Sequence, residues 1–179
     1  VYYGSDAAHW SQVQVGGLNE GLDQATIHFA EPVAGFSDVT TGDYYADAVQ
    51  WAVNHGVTGG TSATTFSPAA AVTRGQAVTF LWRAAGSPEP SSTVSPFTDV
   101  SSADYYYKPV LWASEQGITG GIGNNQFGPN VNLAYDQIFT MLRAAAGQSA
   151  ASSDWSAAAV SWAQESGLTD GLSFSAKAD

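Results

Sequence analysis

The stretch Thr73-Arg74-Gly75-Gln76 is where this chain's residue types and spacing best support chemistry. Its spacing is that of a capping box: the Thr73 hydroxyl accepts from the Gln76 N–H, and the Gln76 side chain reaches back to the Thr73 N–H. Arg74 then falls in the first turn of a helix, where free N–H groups and the positive end of the dipole favour an anion. A cation there is mildly unfavourable for the helix, so its presence asks for a carboxylate partner. A guanidinium can hold a ligand carboxylate by two parallel hydrogen bonds. It can equally form an internal ion pair, with Asp99 or Asp38 as candidates, and residue chemistry alone favours that reading. Catalysis has less to build on. His9, His28 and His55 are scattered without metal-ligand spacing, there are no cysteines, and no calcium-binding loop pattern is present. Two carboxylates can act as acid and base in a glycosidase. Here, however, the acids recur at equivalent positions, as turn and cap residues do.

The elements that must position Arg74 belong to an internal repeat. Phe36-Ser37-Asp38-Val39 returns as Phe97-Thr98-Asp99-Val100, and the shift of 61 residues holds without a gap for about fifty positions. Trp51 meets Trp112, Thr58-Gly59-Gly60 meets Thr119-Gly120-Gly121, and Phe66 and Pro68 meet Phe127 and Pro129. Each unit is too small to bury its own apolar face, so units must pack on one another.

Within a unit, Asp43 or Asp104 precedes a helical pattern and is expected to cap it. Tyr45, Ala48, Val49 and Ala52 form its apolar face; in the second copy Pro109 sets the start near Tyr107 or Lys108. Gly56 and Gly117 are expected as left-handed C-caps. A glycine turn and a polar loop follow, closing at Phe66-Ser67-Pro68 or Phe127-Gly128-Pro129. A second helix then carries Ala77, Val78, Leu81 and Trp82, or Ile138, Phe139, Met141 and Leu142. The Thr-Arg pair is absent from copy two, where Thr73-Arg74 become Ala134-Tyr135.

Trp155 to Gly171 matches copy two at a shift of 50, which gives a third copy with a shortened loop from Leu172 to Asp179. The expected organisation is a β-type segment at 1–35, repeats at 36–86 and 97–147 with a linker at 87–96, and a partial third repeat at 154–179. Trp51, Trp112 and Trp162 recur at one helical position and are expected to pack between units.

With 16 acidic and five basic residues the formal net charge is −11, which leaves no basic patch for nucleic acid or an anionic membrane. No apolar run has the length of a membrane span. The start, Val1-Tyr2-Tyr3, shows neither an initiator Met nor a signal-peptide pattern, so the chain is expected to be continuous with a larger protein.

The ordered set Phe-x-Asp-Val, Tyr-Tyr, Ala-Val-x-Trp-Ala, Gly-Val-Thr-x-Gly, Phe-x-Pro, Val-Thr-Arg-x-Gln and Leu-Trp-Arg resembles the S-layer homology domain family, over Phe36 to Gly171. The resemblance implies a mainly α fold of tandem helix-loop-helix repeats in a pseudo-threefold prism, here with a short β-type N-terminal segment. It implies non-covalent anchoring of a bacterial surface protein through secondary cell-wall polysaccharide, often pyruvylated, held in grooves between repeats. It implies no cofactor and no catalysis, and a location at the cell wall or surface. It gives Arg74 the role of contacting the anionic glycan, with Thr73 and Gln76 fixing the helix start. Gly59 and Gly60 would admit a sugar close to the backbone, and Tyr105 would flank a groove. A structural or protein-interaction module without glycan binding is the alternative. The opening Val1-Tyr2-Tyr3-Gly4, Trp10 and Ala25-Thr26-Ile27-His28 resemble the end of a BspA-like leucine-rich repeat surface protein.

Overall fold

In the computed structural model, residues 2–3, 7–14, 20–22, 25–148 and 154–170 are described. The described chain is mainly helical, with six α-helices and two small two-stranded sheets. It divides into two compact units, Val1–Ala70 and Ala71–Asp179. The dividing point falls inside the first sequence repeat, so that repeat's second helix belongs to the second unit.

In the first unit, β1 (Tyr2–Tyr3) pairs in parallel with β2 (His28–Phe29), and Trp10, closing the one-turn α1 (Ala7–Trp10), packs edge-on against Tyr3. β3 (Pro32–Val33) pairs antiparallel with β4 (Phe36–Thr40). The equivalent Phe97-Thr98-Asp99-Val100 forms no strand, because a Pro/Ser linker precedes it instead of a pairing strand. α2 (Ala46–Asn54) lays Ala46 and Val49 against Val33, Phe36 and Val39.

In the second unit the helices are α3 (Arg74–Ala84), α4 (Tyr107–Glu115), α5 (Tyr135–Ala145) and α6 (Trp155–Glu165). α3 packs on α4 and α5 on α6, and α3 also touches α5. Thus the second helix of one repeat packs on the first helix of the next. Val78, Val110, Trp112, Phe127 and Met141 form one core, and Phe139, Ala159 and Ala163 a second. α4 starts at Tyr107, as Pro109 requires. The linker at 87–96 is fastened to α4: Glu115 accepts from the Ser91 and Ser92 N–H groups, Tyr107 donates to the Thr93 carbonyl, and Lys108 pairs with Glu89.

Helix ends follow the sequence more closely than helix starts. Gly56 and Gly117 both have φ +67°, and Val57 and Ile118 donate back to the Ala52 and Ala113 carbonyls as in a left-handed cap. The expected caps at Asp43 and Asp104 are not formed. Asp43 instead accepts from the Thr40 N–H at 2.7 Å, and Asp104 from the Ser101 N–H at 2.7 Å. The backbone turn at Tyr44-Tyr45 and Tyr105-Tyr106 separates each carboxylate from the helix, so it closes the preceding turn. The three tryptophans also differ. Trp112 is buried, Trp162 half-buried, and Trp51 is 52% exposed and stacked on His55. The loop expected from Leu172 to Asp179 lies outside the described residues.

Candidate functional site

The start of α3 is gripped by the loop of the second repeat. The Arg74 N–H donates to the Val131 carbonyl and the Gly75 N–H to the Pro129 carbonyl, each at 2.9 Å, while Leu133 donates to the Val72 carbonyl. The capping box forms as its spacing requires. Thr73 N donates to Gln76 Oε1 at 2.9 Å, and Gln76 N to Thr73 Oγ1 at 3.4 Å. Every N–H of the first turn therefore has a protein acceptor. The free N–H groups expected here for an anion are already used, because the second repeat supplies the acceptors.

The Arg74 side chain turns into the same loop and is only 6% exposed. Its Nε donates to the Phe127 carbonyl at 2.8 Å and Nη2 to Thr119 Oγ1 at 3.0 Å. The guanidinium carbon lies 5.0 Å from the centre of the Phe127 ring, within cation–π range. Thr119 Oγ1 also accepts from the Gly121 N–H. Asp99 holds the loop from behind, accepting from the Phe127 and Gly128 N–H groups at 2.8 Å each.

The electrostatics are those of a buried cation with a carboxylate nearby but no hydrogen bond between them. Burial pushes the Arg74 guanidinium below its usual range, and the Asp99 charge opposes that. For Asp99, burial works to raise the carboxyl. The N–H bonds from Phe127 and Gly128, with the Arg74 charge, outweigh it and hold the group below the ordinary value. The internal ion pair weighed for Arg74 is thus replaced by two neutral acceptors and a through-space attraction.

The predicted residues fall into two sets. Arg74, Thr73 and Gln76 come together at the α3 start. Tyr105 lies in the same unit, 63% exposed, with its ring edge-on to Tyr106 at 4.9 Å. Burial raises the Tyr105 phenol and the nearby Arg83 charge opposes it. Gly59 and Gly60 belong to the first unit; the glycine pair beside Arg74 is Gly120-Gly121. In each pair the second glycine is a structural necessity. Gly60 and Gly121 have φ +82° and +79°, and a Cβ on either would lie 2.6 Å from Cε1 of Phe36 or Phe97. Gly59 and Gly120 are exposed, and a Cβ there would meet nothing within 4 Å.

Thr119 and Phe127 are the partners that reasoning on single copies missed, whereas Asp99, weighed as an ion-pair partner, lies nearby without a hydrogen bond to Arg74. The repeat carried the signal, since Thr119 and Phe127 are the equivalents of Thr58 and Phe66. Which copy's loop would receive Arg74 depends on the offset between packing and repeat. Among the described residues, no group of His, Cys, Asp and Glu could hold a metal ion.

These features define a tandem of helix-loop-helix units in which one unit's second helix is completed by the next unit's loop. Residues 35–78 and 96–136 match the S-layer homology domain model, and the chain carries two domains of that family. Such domains are non-catalytic modules that typically anchor surface proteins to the cell wall, and they assign the chain to the cell surface or wall. The family model leaves the residues ahead of 35 unmatched. Over 106 residues, 59% of this chain, it is 39% identical to an endoglucanase of Bacillus sp. (strain KSM-635). Over 144 residues, 78% of this chain, it is 31% identical to a cell surface protein of Thermoanaerobacter kivui. The matched stretches span 11% and 19% of those relatives' lengths. Among the described residues no helix is long and apolar enough to cross a membrane.

Proposed function

We propose that this chain anchors a larger surface protein to the bacterial cell wall without a covalent bond, by binding secondary cell-wall polysaccharide at the edge of the Arg74 site. The relatives' names fit such a role, since a cell surface protein and an endoglucanase both carry a stretch like this one. The chain itself then works as an attachment module and not as an enzyme, and needs no cofactor.

The observation that carries the reading is the state of Arg74. A guanidinium 6% exposed and bonded to two neutral acceptors is a desolvated charge with donors to spare. A carboxylate on the glycan, such as a pyruvate ketal, adds a hydrogen-bonded counter-charge to the through-space attraction of Asp99. The exposed backbone at Gly120 and the exposed ring of Tyr105 give sugar a place to lie against the same unit. Thr73 and Gln76 contribute by fixing the helix start. Gly59 and Gly60 are the corresponding backbone approach in the first repeat.

A second reading, a structural module without glycan binding, is favoured by the two bonds that Arg74 already makes inside the protein. Cosedimentation with purified cell-wall polymer, before and after chemical removal of pyruvate, separates the two. Glycan anchoring expects binding that drops at least tenfold on depyruvylation and with Tyr105→Ala, an exposed position whose loss leaves the core intact. Binding unchanged by both treatments, or no binding at all, supports the structural module.

A further inference from the structure

Charge is divided unevenly along this chain. Residues 1–70 hold seven acidic residues and no lysine or arginine, a formal charge of −7 with His neutral. Residues 71–179 hold nine acids and all five basic residues, a formal charge of −4. Both units are therefore net negative.

The structure widens the imbalance at the surface of the second unit, where Arg74 lies. Among its described residues Glu89, Glu115, Asp154, Glu165 and Asp170 are exposed. Its cations mostly face inward. Arg74 is 6% exposed and bonded to the Phe127 carbonyl and Thr119, and Arg83 and Arg143 are half-buried. Lys108 is exposed, but it pairs with Glu89 at 2.7 Å. A carboxylate ligand thus approaches a single buried guanidinium through an acidic surface.

Two electrostatic effects of opposite sign act on that ligand. The attraction to Arg74 is short-ranged and partly desolvated, so salt screens it little. The repulsion runs through water from the acidic surface, and salt screens it strongly. A net −4 acting in water at about 15 Å lowers the affinity for one carboxylate about threefold at 10 mM salt, but only about 1.3-fold at 150 mM. The −7 of the first unit acts in the same direction wherever it lies. Each further carboxylate on a polymer adds its own share.

We propose that ionic strength controls how tightly this chain binds a carboxylated wall polymer, and that salt up to about 150 mM strengthens the attachment. This rests on the anchoring role proposed above and adds the sign of its salt dependence. The sign is opposite to that of a basic surface meeting a polyanion, where affinity falls as salt rises. Repulsion acts on the encounter, so salt raises the association rate and leaves dissociation nearly unchanged.

The test is binding of the full chain to immobilised pyruvylated cell-wall polymer by surface plasmon resonance. NaCl is varied from about 10 to about 150 mM, over which the screening length falls from about 30 to about 8 Å. Affinities are referred to the folded chain, measured by circular dichroism at each salt concentration. Affinity is expected to rise at least threefold, through the association rate, and MgCl2 at matched ionic strength gives the same rise. A chain with Glu31→Gln, Asp47→Asn, Glu165→Gln and Asp170→Asn loses four exposed carboxylates that take no part in the Arg74 site. It is expected to bind at least twofold tighter at 10 mM NaCl and to show a shallower rise. Affinity that falls with salt, or a rise unchanged in the variant, overturns the inference while leaving the anchoring role intact. So does a rise with MgCl2 and none with NaCl, which marks bridging by the divalent cation. No binding at any ionic strength removes the anchoring role itself, and this inference with it.

Discussion

The α3–α4 and α5–α6 contacts solve one packing problem in opposite ways. At α3–α4, Gly75 removes its side chain so that the helix start can lie on the Tyr106 ring, and Arg74 reaches past it into the loop. At α5–α6, Asp136 fills the space that Ser156 opens, and its carboxylate also accepts from the Gln137 N–H at 2.8 Å. The first contact relies on shape and a buried cation; the second relies on a buried, hydrogen-bonded anion. Repetition of sequence has therefore preserved the framework while the contact between successive repeats changed as a pair. Neither half of such a pair can change alone without leaving a clash or a buried group without its partner.

The sharpest way to break the comparison is Gly75→Asp. It drives a side chain into Tyr106 and the Pro129 carbonyl and buries a charge, and is expected to cost about 3–5 kcal/mol in urea unfolding. Adding Tyr106→Ser should recover a good part of that loss; no recovery would mean that the two positions are not coupled. Arg74→Ala comes next, at about 2–4 kcal/mol, because the Phe127 carbonyl and Thr119 hydroxyl lose a charged donor. It is a destabilising substitution, in contrast with a purely ligand-facing arginine, so a loss of glycan binding in that variant needs a fold check by circular dichroism. Asp136→Ala should cost about 1–3 kcal/mol, reduced when Ser156→Ala removes the orphaned hydroxyl.

The two helix starts offer a milder test. Thr73 completes a capping box on α3, whereas Ala134 has no side-chain oxygen and α5 keeps only the return bond from Gln137. Thr73→Ala should cost about 1 kcal/mol, whereas Ala134→Thr should gain much less, because the Gln137 N–H it would cap already bonds to Asp136. Thermal unfolding of the two variants checks both signs. The smallest effect concerns pH. Asp99 titrates below its ordinary value when folded, so its contribution to stability is complete above the usual carboxylate range. That contribution is lost as pH falls through the range towards the depressed native value. Asp99→Asn should flatten the acid limb of the stability profile, and an unchanged limb would place the acid sensitivity elsewhere.

Much of this was legible in the chain because local rules are sufficient for it. The 61-residue shift gave the repeats, Pro109 the start of α4, and Gly56 and Gly117 the helix ends. Thr73 and Gln76 specified their own cap, since both partners lie within one turn. The caps at Asp43 and Asp104 failed for a related reason. A carboxylate at a turn has two sets of nearby N–H groups within reach, and residue type does not say which one the backbone will present.

The sequence by itself determined the helices, their ends, the repeat, and the Thr73-Arg74 pair that copy two does not share. Only the tertiary structure decided what Arg74 meets. Its partners Thr119 and Phe127 lie 45 and 53 residues away, and they belong to the next repeat because packing runs out of phase with the sequence unit. The same offset uses up the helix N–H groups, buries Trp112 beneath α3 and leaves Trp51 exposed. Identical sequence positions thus acquire different environments, because burial depends on what a surface is packed against and not on the residues that form it.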